Sequence, residues 1–319
     1  MKIVVLDGFA TNPGDLSWDF LSALGEAVVY DKLADSETAQ AAQGAVAVFT
    51  NRARIDKAFL DAVPTLRFVS ATGTGYDMID VAECHRRGIV VCNVPAYSSD
   101  AVAQHAFTLL NALANDLNGL QGIVRDGKWT GMPGFHYETV RTTELAGQTV
   151  GLLGYGGIGR RMAEICHAFG MRVLATTRNL QSGSDAFATF VPLETLQRES
   201  DFLSIHCPLT AETRGMVDAA FLSKMKKGAM LINTARGAIL NEAHVAEALH
   251  SGSIAGLGAD VLATEPPPAD HPFLTTPNTI ITPHCAWTPR ATRARLLSIL
   301  EANLRSFIET GHGINEVKG

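Results

Sequence analysis

The glycine-rich segment Gly154-Tyr155-Gly156-Gly157-Ile158-Gly159 has the spacing G-x-G-x-x-G, which can bind the phosphates of a redox cofactor. Glycine makes up 29 of the 319 residues, so the pattern alone is a weak signal and its context decides. It follows an apolar stretch at 150–153 and opens a stretch at 157–169 in which apolar side chains recur at helical spacing. A strand, a glycine turn and a helix in this order bind pyrophosphate through backbone N–H groups. The turn is therefore predicted to bind a dinucleotide through Gly154, Tyr155, Gly156, Gly157, Ile158 and Gly159.

The segment Thr176-Thr177-Arg178-Asn179 bears on which dinucleotide binds. About 20 residues beyond the first glycine, an NAD enzyme normally offers an Asp or Glu to the adenosine ribose. This chain has no carboxylate there, and Thr177 and Arg178 could instead contact a 2′-phosphate. We therefore expect NADP(H) to be preferred. NAD(H) is the alternative if Arg178 is only a solvated charge at the end of a strand.

Three further segments each place polar side chains directly after an apolar strand. Ligands of open α/β sheets bind outside the carboxyl ends of the strands. An arginine fork can hold a carboxylate, and a histidine exchanges protons near neutral pH. A surface Arg–Glu pair or a core histidine is the ordinary alternative. The segments are Asn233-Thr234-Ala235-Arg236-Gly237, then Asp260-Val261-Leu262-Ala263-Thr264-Glu265-Pro266-Pro267, then Thr282-Pro283-His284-Cys285-Ala286-Trp287.

In this order after the glycine turn, NTARG, DV-x-x-x-EPP and TPH-x-AW resemble the D-isomer-specific 2-hydroxyacid dehydrogenase family. The resemblance covers nearly the whole chain. The ending HCAW and the opening NPGDLSW at 12–18 are most similar to the glycerate dehydrogenase, or hydroxypyruvate reductase, branch. The resemblance implies an oxidoreductase that transfers a hydride between NADPH (or NADH) and a small 2-oxo acid such as hydroxypyruvate or glyoxylate. The product would be the D-2-hydroxy acid.

The resemblance also implies roles for individual residues. Arg236, Glu265 and His284 would be catalytic. Arg236 holds the substrate carboxylate and carbonyl oxygen, while His284 donates the proton in reduction and accepts it in oxidation. Glu265 pairs with His284 and favours its charged form.

Binding residues follow from the same resemblance. Thr74 and Gly75, in a loop after the strand at 66–70, would offer backbone N–H groups to the substrate carboxylate. Trp287 would either line the substrate pocket or pack in the core. Asp260 would contact the carboxamide of the cofactor. The other implied cofactor contacts are Cys207, Pro208, Thr234, Ala235 and His284.

Two α/β units would position these residues. Short β-branched runs alternate with helical stretches, which predicts parallel sheets. We expect a Rossmann NAD(P)-binding domain at 101–287, inserted into a flavodoxin-like substrate domain at 1–100 and 288–319, both doubly wound. A helix is expected at 101–118, an irregular segment at 125–144 and a long helix from near Pro289. The predicted strands are 3–6, 27–30, 45–49, 66–70, 89–91, 149–153, 172–176, 202–205, 229–233, 256–261 and 279–282.

Composition narrows the function classes. The net charge of −6, with both signs mixed along the chain, predicts no nucleic-acid partner. No apolar run reaches the about 18 residues that a membrane span needs. The 5 cysteines include no C-x-x-C pair, and the histidines on predicted helices, His105, His167, His244 and His250, lack zinc-binding spacing. We therefore expect no metal and a reducing cytoplasm.

Further expectations come from the resemblance. It implies a homodimer formed through the cofactor domain, with the helix from residue 101 and the segment at 125–144 as the contact. Two alternative functions stay open: a catalytically idle NAD(H)-sensing protein like the corepressors of this fold, and a short phosphoglycerate dehydrogenase. The retention of Arg236, Glu265 and His284 together favours chemistry.

Overall fold

The structure is a computed structural model that describes residues 1–131, 142–178 and 183–318. Contacts divide the chain into two compact units. The first unit comprises residues 1–98 and 287–319, and the second unit comprises residues 99–286. Each unit has its own sheet.

The sheet of the first unit is parallel throughout, as predicted. Its strands lie in the order β2-β1-β3-β4-β5, which is the flavodoxin-like order. Every residue of β3 and β4 is buried because helices cover both faces. The strands are β1 (Lys2–Val5), β2 (Glu26–Val29), β3 (Ala47–Thr50), β4 (Phe68–Ala71) and β5 (Val90–Cys92).

Two helices of the first unit, α4 (Lys57–Ala62) and α5 (Val81–Arg86), begin at an aspartate N-cap. The carboxylate of Asp56 accepts the N–H of Phe59 at 3.0 Å, and that of Asp80 accepts the N–H of Glu83 at 3.0 Å. These contacts satisfy N–H groups that the first helical turn cannot pair. The helices are α1 (Gly8–Thr11), α2 (Asp19–Ser22), α3 (Asp35–Ala41), α4 (Lys57–Ala62) and α5 (Val81–Arg86).

The helix expected at 101–118 is two helices, α6 (Ser99–Ala114) and α7 (Leu117–Arg125). The prediction was wrong at its C-terminal end because Asp116 takes a left-handed conformation with φ of +46°. Aspartate is one of the few residues that tolerate this region, and no helix continues through it. A short 3₁₀ turn, Lys128–Gly131, follows. Most of the predicted irregular segment, residues 132–141, lies outside the described residues.

The sheet of the second unit has the doubly wound order β13-β12-β11-β10-β6-β7-β9-β8. The chain order reverses at β6, between β10 and β7. The antiparallel pairing of β8 with β9 departs from the all-parallel sheet that we expected. The strands are β6 (Thr149–Leu153), β7 (Arg172–Thr176), β8 (Gly183–Ser184), β9 (Thr189–Phe190), β10 (Phe202–Ile205), β11 (Ala229–Asn233), β12 (Ile254–Ala259) and β13 (Thr279–Ile281).

Helices cover both faces of this second sheet. Buried side chains of α6 and α8 (Gly157–Ala168) pack on one face. The opposite face carries α9 (Leu193–Glu199), α10 (Ala219–Leu222) and α11 (Glu242–His250). Each face of the sheet is therefore a core, which explains the nearly continuous apolar sequence of the strands.

The long helix α12 (Arg290–Thr310) belongs to the first unit. Leu296, Leu300 and Leu304 are fully buried, as their spacing of four predicts. The ring of Phe307 lies 5.0 Å from that of Phe68 on β4. Within the described ranges, no helix combines the length and the apolar character that crossing a membrane requires.

Candidate active site

The glycine turn begins where β6 ends, in the interior of the second sheet. Gly154 has a φ of +106°, and a Cβ there would lie 2.6 Å from the backbone nitrogen of Cys207. Both facts require glycine. Gly156 directly precedes α8, and an added Cβ there would meet no heavy atom within 4 Å. This open space at a helix N-terminus fits the pyrophosphate of a dinucleotide.

Tyr155 turns its side chain away from this space. Its hydroxyl donates to Oδ2 of Asp185 at 2.7 Å, and its ring meets Phe190 edge-on at 5.1 Å. Burial, and then the bond to Asp185, raises the pKa of Tyr155. The same carboxylate accepts the N–H groups of Phe187 (2.8 Å) and Ala188 (2.9 Å). Tyr155 thus ties the turn to the hairpin of β8 and β9.

The residues after β7 present a cation. Thr177 is half-buried and Arg178 is exposed, while Asn179 lies outside the described residues. Glu212 belongs to a loop after β10, and the hydroxyl of Thr210 donates to it at 2.6 Å. That hydrogen bond mainly, and the nearby charge of Arg178 to a smaller degree, lower the pKa of Glu212. Arg178 and the carboxylate of Glu212 therefore lie close enough for their charges to interact.

Two polar atoms at the carboxyl ends of the neighbouring strands β10 and β11 are buried without a hydrogen-bond partner among the described residues. They are Nδ1 of His206 and Oγ1 of Thr234. The other ring nitrogen of His206 lies 2.9 Å from Oγ of Ser204. Burial lowers the pKa of His206 to about 4, so the ring is neutral at physiological pH. An unpaired buried polar atom costs free energy, so both atoms fit a polar ligand such as a bound cofactor.

Arg236 projects from a tightly fixed loop after β11. Oδ1 of Asn233 accepts the N–H of Ala235 at 3.0 Å, and Nδ2 of Asn233 donates to the carbonyl of Arg236 at 3.0 Å. The guanidinium donates to the carbonyl of Ala235 at 2.8 Å. A Cβ on Gly237 would overlap the backbone of Leu262. Local hydrogen bonds and close backbone contact together orient the arginine.

Asp260 organises the loop after β13. Its carboxylate is 1% exposed and accepts the N–H groups of Cys285 (2.9 Å) and Ala286 (2.8 Å) and the hydroxyl of Thr282 (2.6 Å). The N–H of His284 donates to the carbonyl of Asp260 at 2.8 Å, and His284 itself has a φ of +52°. Asp260 therefore holds the segment in which His284 takes this strained conformation.

His284 and Glu265 form a close pair. Nδ1 of His284 lies 2.7 Å from Oε2 of Glu265, and Oε1 of Glu265 accepts the N–H of Leu262 at 3.0 Å. The two side chains are 32% and 24% exposed. A carboxylate at Nδ1 keeps the proton on that atom and presents Nε2 for proton exchange. A base oriented by an acidic partner is a recurrent catalytic arrangement.

The remaining predicted site residues belong to the first unit. Thr74 donates its hydroxyl to the carbonyl of Val94 at 2.9 Å, and Nδ2 of Asn93 donates to the carbonyl of Thr74 at 2.8 Å. Gly75 follows in the same loop and is half-buried. Trp287 is also half-buried and packs against the core of the first unit, which accounts for at least part of its role.

Three comparisons with known proteins bear on this site. The family model "D-isomer specific 2-hydroxyacid dehydrogenase, NAD binding domain" matches residues 107–286. A hydroxypyruvate reductase of Blautia hydrogenotrophica is 39% identical over 99% of each chain. The chain belongs to the D-isomer-specific 2-hydroxyacid dehydrogenase family. A glycerate dehydrogenase of Methylorubrum extorquens is 35% identical over 85% of each chain. A Sinorhizobium meliloti NADPH-dependent glyoxylate/hydroxypyruvate reductase, solved with NADP and malonate, is 30% identical, with a TM-score of 0.84 over 99% of this chain and 96% of that one.

Membership of this family makes the protein an NAD(P)-dependent oxidoreductase of 2-hydroxy and 2-oxo acids. The structure brings most predicted residues of this dehydrogenase to the carboxyl edge of the second sheet, because each one lies in a loop that follows a strand. This group comprises the glycine turn, Thr177, Arg178, Cys207, Pro208, Thr234, Ala235, Arg236, Asp260, Glu265 and His284.

Sequence reasoning assigned no contact to several polar residues of this dehydrogenase. His206 belongs to the segment His206-Cys207-Pro208-Leu209, which resembles the nicotinamide-side loop of the family, but only Cys207 and Pro208 were predicted to contact the cofactor. The approach of Asp185 to Tyr155 had no signal in the sequence. His105 of α6, whose Nε2 lies 2.9 Å from Oγ1 of Thr282, also had none. Contacts between distant segments leave no periodic trace in the sequence.

Proposed function

We propose that this dehydrogenase reduces a small 2-oxo acid, such as hydroxypyruvate or glyoxylate, to the D-2-hydroxy acid, with NADPH as the preferred reductant. The observation that carries the proposal is the distance of 2.7 Å between Nδ1 of His284 and Oε2 of Glu265. This pairing suits a proton donor to an alkoxide. Relatives named hydroxypyruvate reductase, glyoxylate reductase and glycerate dehydrogenase support the substrate class.

The second unit holds the cofactor in this proposal, and the first unit contributes the substrate loop. The expected domains, 101–287 and 1–100 with 288–319, correspond to these roles. When bound, a reduced nicotinamide supplies a hydride. The glycine turn and the N-terminus of α8 bind the pyrophosphate, while Cys207, Pro208, Thr234, Ala235 and Asp260 hold the nicotinamide end. The unpartnered Oγ1 of Thr234 supports this assignment.

His284 supplies the proton in this proposal. In its charged form it donates from Nε2 to the oxygen of the former carbonyl group, and the neutral ring keeps its Nδ1 proton against Glu265. In the oxidative direction Nε2 accepts the proton from the substrate hydroxyl. Because Oε1 of Glu265 is fixed by the N–H of Leu262, the imidazole is oriented before substrate arrives.

Arg236 binds the substrate through its planar guanidinium. Two N–H groups along one edge of the guanidinium can donate to the substrate carboxylate, and the remaining N–H groups polarise the carbonyl oxygen. We assign the rest of the carboxylate contact to the backbone N–H groups of Thr74 and Gly75. The contacts of Thr74 with Val94 and Asn93 support this assignment, because they fix the loop. Trp287 would limit the pocket to small substrates.

The preference for NADPH rests on the end of β7. Thr176 and Thr177 stand where a carboxylate would bind the ribose of NAD, and Arg178 offers a charge-assisted contact to a 2′-phosphate. The Sinorhizobium meliloti relative, whose solved complex contains NADP, supports this choice. NADH is the second possible reductant.

A homodimer fits the surface of α7. None of its residues is buried, and Leu117 and Val124 are each 50% exposed. Trp129, shortly after it, is 63% exposed. Apolar side chains concentrated on one exposed segment suggest a contact with a second copy. Light scattering should give a dimer for the wild type and a monomer for Leu117→Glu/Val124→Glu, and a monomeric wild type would contradict the assignment.

A reducing cytoplasm remains a prediction of this proposal. None of the five cysteines forms a disulfide bond in the described part of the chain, which suits such a compartment.

The deciding experiment is a panel of 2-oxo acids assayed with NADPH and NADH in parallel. We expect the highest kcat/KM with hydroxypyruvate or glyoxylate and NADPH. Arg178→Ala should lower kcat/KM for NADPH by about tenfold or more, as the loss of a charge-assisted contact would do, and change that for NADH little. Arg172→Ala, at the other end of β7, is the matched control. Tight cofactor binding without turnover of any 2-oxo acid would favour the sensing protein instead.

A further inference from the structure

Three side chains that commonly bind metal ions meet beside the His284 loop. They are His105 of α6, Asp260 after β12 and Cys285 after β13. Nε2 of His105 lies 3.5 Å from Oδ1 of Asp260, and Sγ of Cys285 lies 3.6 Å from the same oxygen. All three atoms lie within 4.8 Å of one another, the one such group found in the described part of the chain. The sequence-based expectation of no metal rested on spacing along the chain, which cannot reveal a group assembled from three distant segments.

The ligand types and distances suit zinc. Zn²⁺ takes imidazole nitrogen, thiolate sulfur and carboxylate oxygen at about 2.0–2.3 Å, and ligand atoms of such a tetrahedron lie roughly 3.3–3.6 Å apart. The two separations from Oδ1 of Asp260 match this edge length. We propose that His105, Asp260 and Cys285 bind Zn²⁺, and that the bound ion inhibits the dehydrogenase. Three protein ligands leave the fourth position to water.

The surroundings of Asp260 make this site preorganised. The N–H groups of Cys285 and Ala286 already hold the carboxylate of Asp260 in place, so this ligand does not have to be ordered when the ion binds. The hydroxyl of Thr282 now bridges Oδ1 of Asp260 (2.6 Å) and Nε2 of His105 (2.9 Å). The ion takes over this bridging position, and the hydroxyl rotates away.

Binding balances simply. Cys285 loses its thiol proton to solvent. Because the hydroxyl of Thr282 donates to Asp260, Nε2–H of His105 is the donor to Thr282, and this proton moves to Nδ1 through solvent as Nε2 binds the ion. No oxidation state changes. The side chain of His105 is 22% exposed, which gives the ion a path from solvent.

Inhibition follows from the place of Asp260. We assigned this carboxylate to the cofactor carboxamide, so the ion and the nicotinamide compete for it. This consequence rests on the proposed function, whereas metal binding itself does not.

Co²⁺ is the probe for binding, because its tetrahedral thiolate complexes absorb in the visible and near-ultraviolet. Without substrate or cofactor, the full-length chain should bind one Co²⁺ with a thiolate charge-transfer band. Cys285→Ser should abolish the band, and both Cys285→Ser and His105→Gln should weaken binding roughly tenfold or more. His167→Gln, on the exposed face of α8, should behave as wild type. Absence of the band in wild type, or its persistence in Cys285→Ser, would overturn the site.

Alkylation gives a second readout that needs only the wild type and therefore does not depend on whether a variant folds. Zn²⁺ should protect Cys285 of the wild type from iodoacetamide and leave Cys207 unprotected, as measured on peptides by mass spectrometry. Equal protection of both thiols would contradict the site.

Inhibition is tested separately. NADPH should displace Co²⁺ from wild type, and Zn²⁺ should inhibit wild type more strongly than Cys285→Ser. Binding of Co²⁺ that NADPH does not displace would overturn the inhibition while leaving the metal site in place.

Discussion

Nδ1 of His284 lies 2.7 Å from Oε2 of Glu265, and the second oxygen of Glu265 is held by the N–H of Leu262. The carboxylate is thus fixed at both oxygens, and the imidazole is oriented by a partner that cannot easily rotate. Since His284 also has a left-handed backbone conformation, its direction is set by the loop and by the carboxylate together.

This pair should act as one unit in catalysis. His284→Ala should lower kcat by about 10²–10⁴-fold, the range of general acid–base catalysis, and Glu265→Gln should lower it less. The double variant should be no slower than His284→Ala, because the carboxylate acts only through the ring. Steady-state rates of the four proteins, with NADPH binding as the control, test this. Additive losses would show that Glu265 has a separate role.

Gly237 should not tolerate a side chain. A Cβ there would overlap the backbone of Leu262, so Gly237→Ala must displace the loop that carries Arg236. We expect a loss of stability of about 1–3 kcal/mol, typical of overpacking, and a clear fall in kcat/KM for the 2-oxo acid. Urea unfolding and steady-state kinetics measure both. Wild-type values in both assays would show that the loop can move at no cost.

Tyr155→Phe should loosen the hairpin of β8 and β9. The variant keeps the ring packed on Phe190 but removes the hydrogen bond to Asp185, worth about 1.5–3 kcal/mol for a charged acceptor. Because the hairpin follows the segment that carries Arg178, the KM for NADPH should rise several-fold with kcat little changed. Tyr30→Phe in the first unit is the matched control. A fall in kcat at unchanged KM would speak against this positioning role.

Asp15→Asn should destabilise the first unit in a pH-dependent manner. Both carboxylate oxygens of Asp15 accept N–H groups of Arg293 at 2.7 Å, and these bonds hold the pKa of Asp15 below its usual range. A lowered folded-state pKa stabilises the protein above the unfolded pKa, and this stabilisation is lost as the pH falls through the folded value. Wild type should therefore be more stable than the variant at neutral pH, and the two should converge in acid.

Urea midpoints across the acidic range measure this difference, with the exposed Asp31→Asn as the control. A difference that stays constant down to strongly acidic pH would show that the ion pair is not its cause.

The sequence alone predicted two parallel α/β sheets, which the structure confirms except for the antiparallel pair of β8 and β9, and it placed the candidate site residues after strand ends. Apolar runs of four to six residues identify the main strands. The candidate site residues lie in the loops that follow these strands, so predicting the strand ends also predicted where the candidate side chains lie. Local patterns carry this information because a strand, a tight turn and a helix are each formed by neighbours in the chain. The apolar periodicity did not predict the break between α6 and α7, because the left-handed conformation of Asp116 is not visible in that pattern.

Only the tertiary structure decided which distant residues meet. The bond between Tyr155 and Asp185, the buried unpartnered atoms of His206 and Thr234, and the convergence of His105 on Asp260 and Cys285 all depend on how strands and helices pack. Packing is set by the sum of many small contacts over the whole core, and no single segment contains it. The amino-acid sequence therefore determined the chemistry available to this dehydrogenase, and the fold determined which of those groups act on one another.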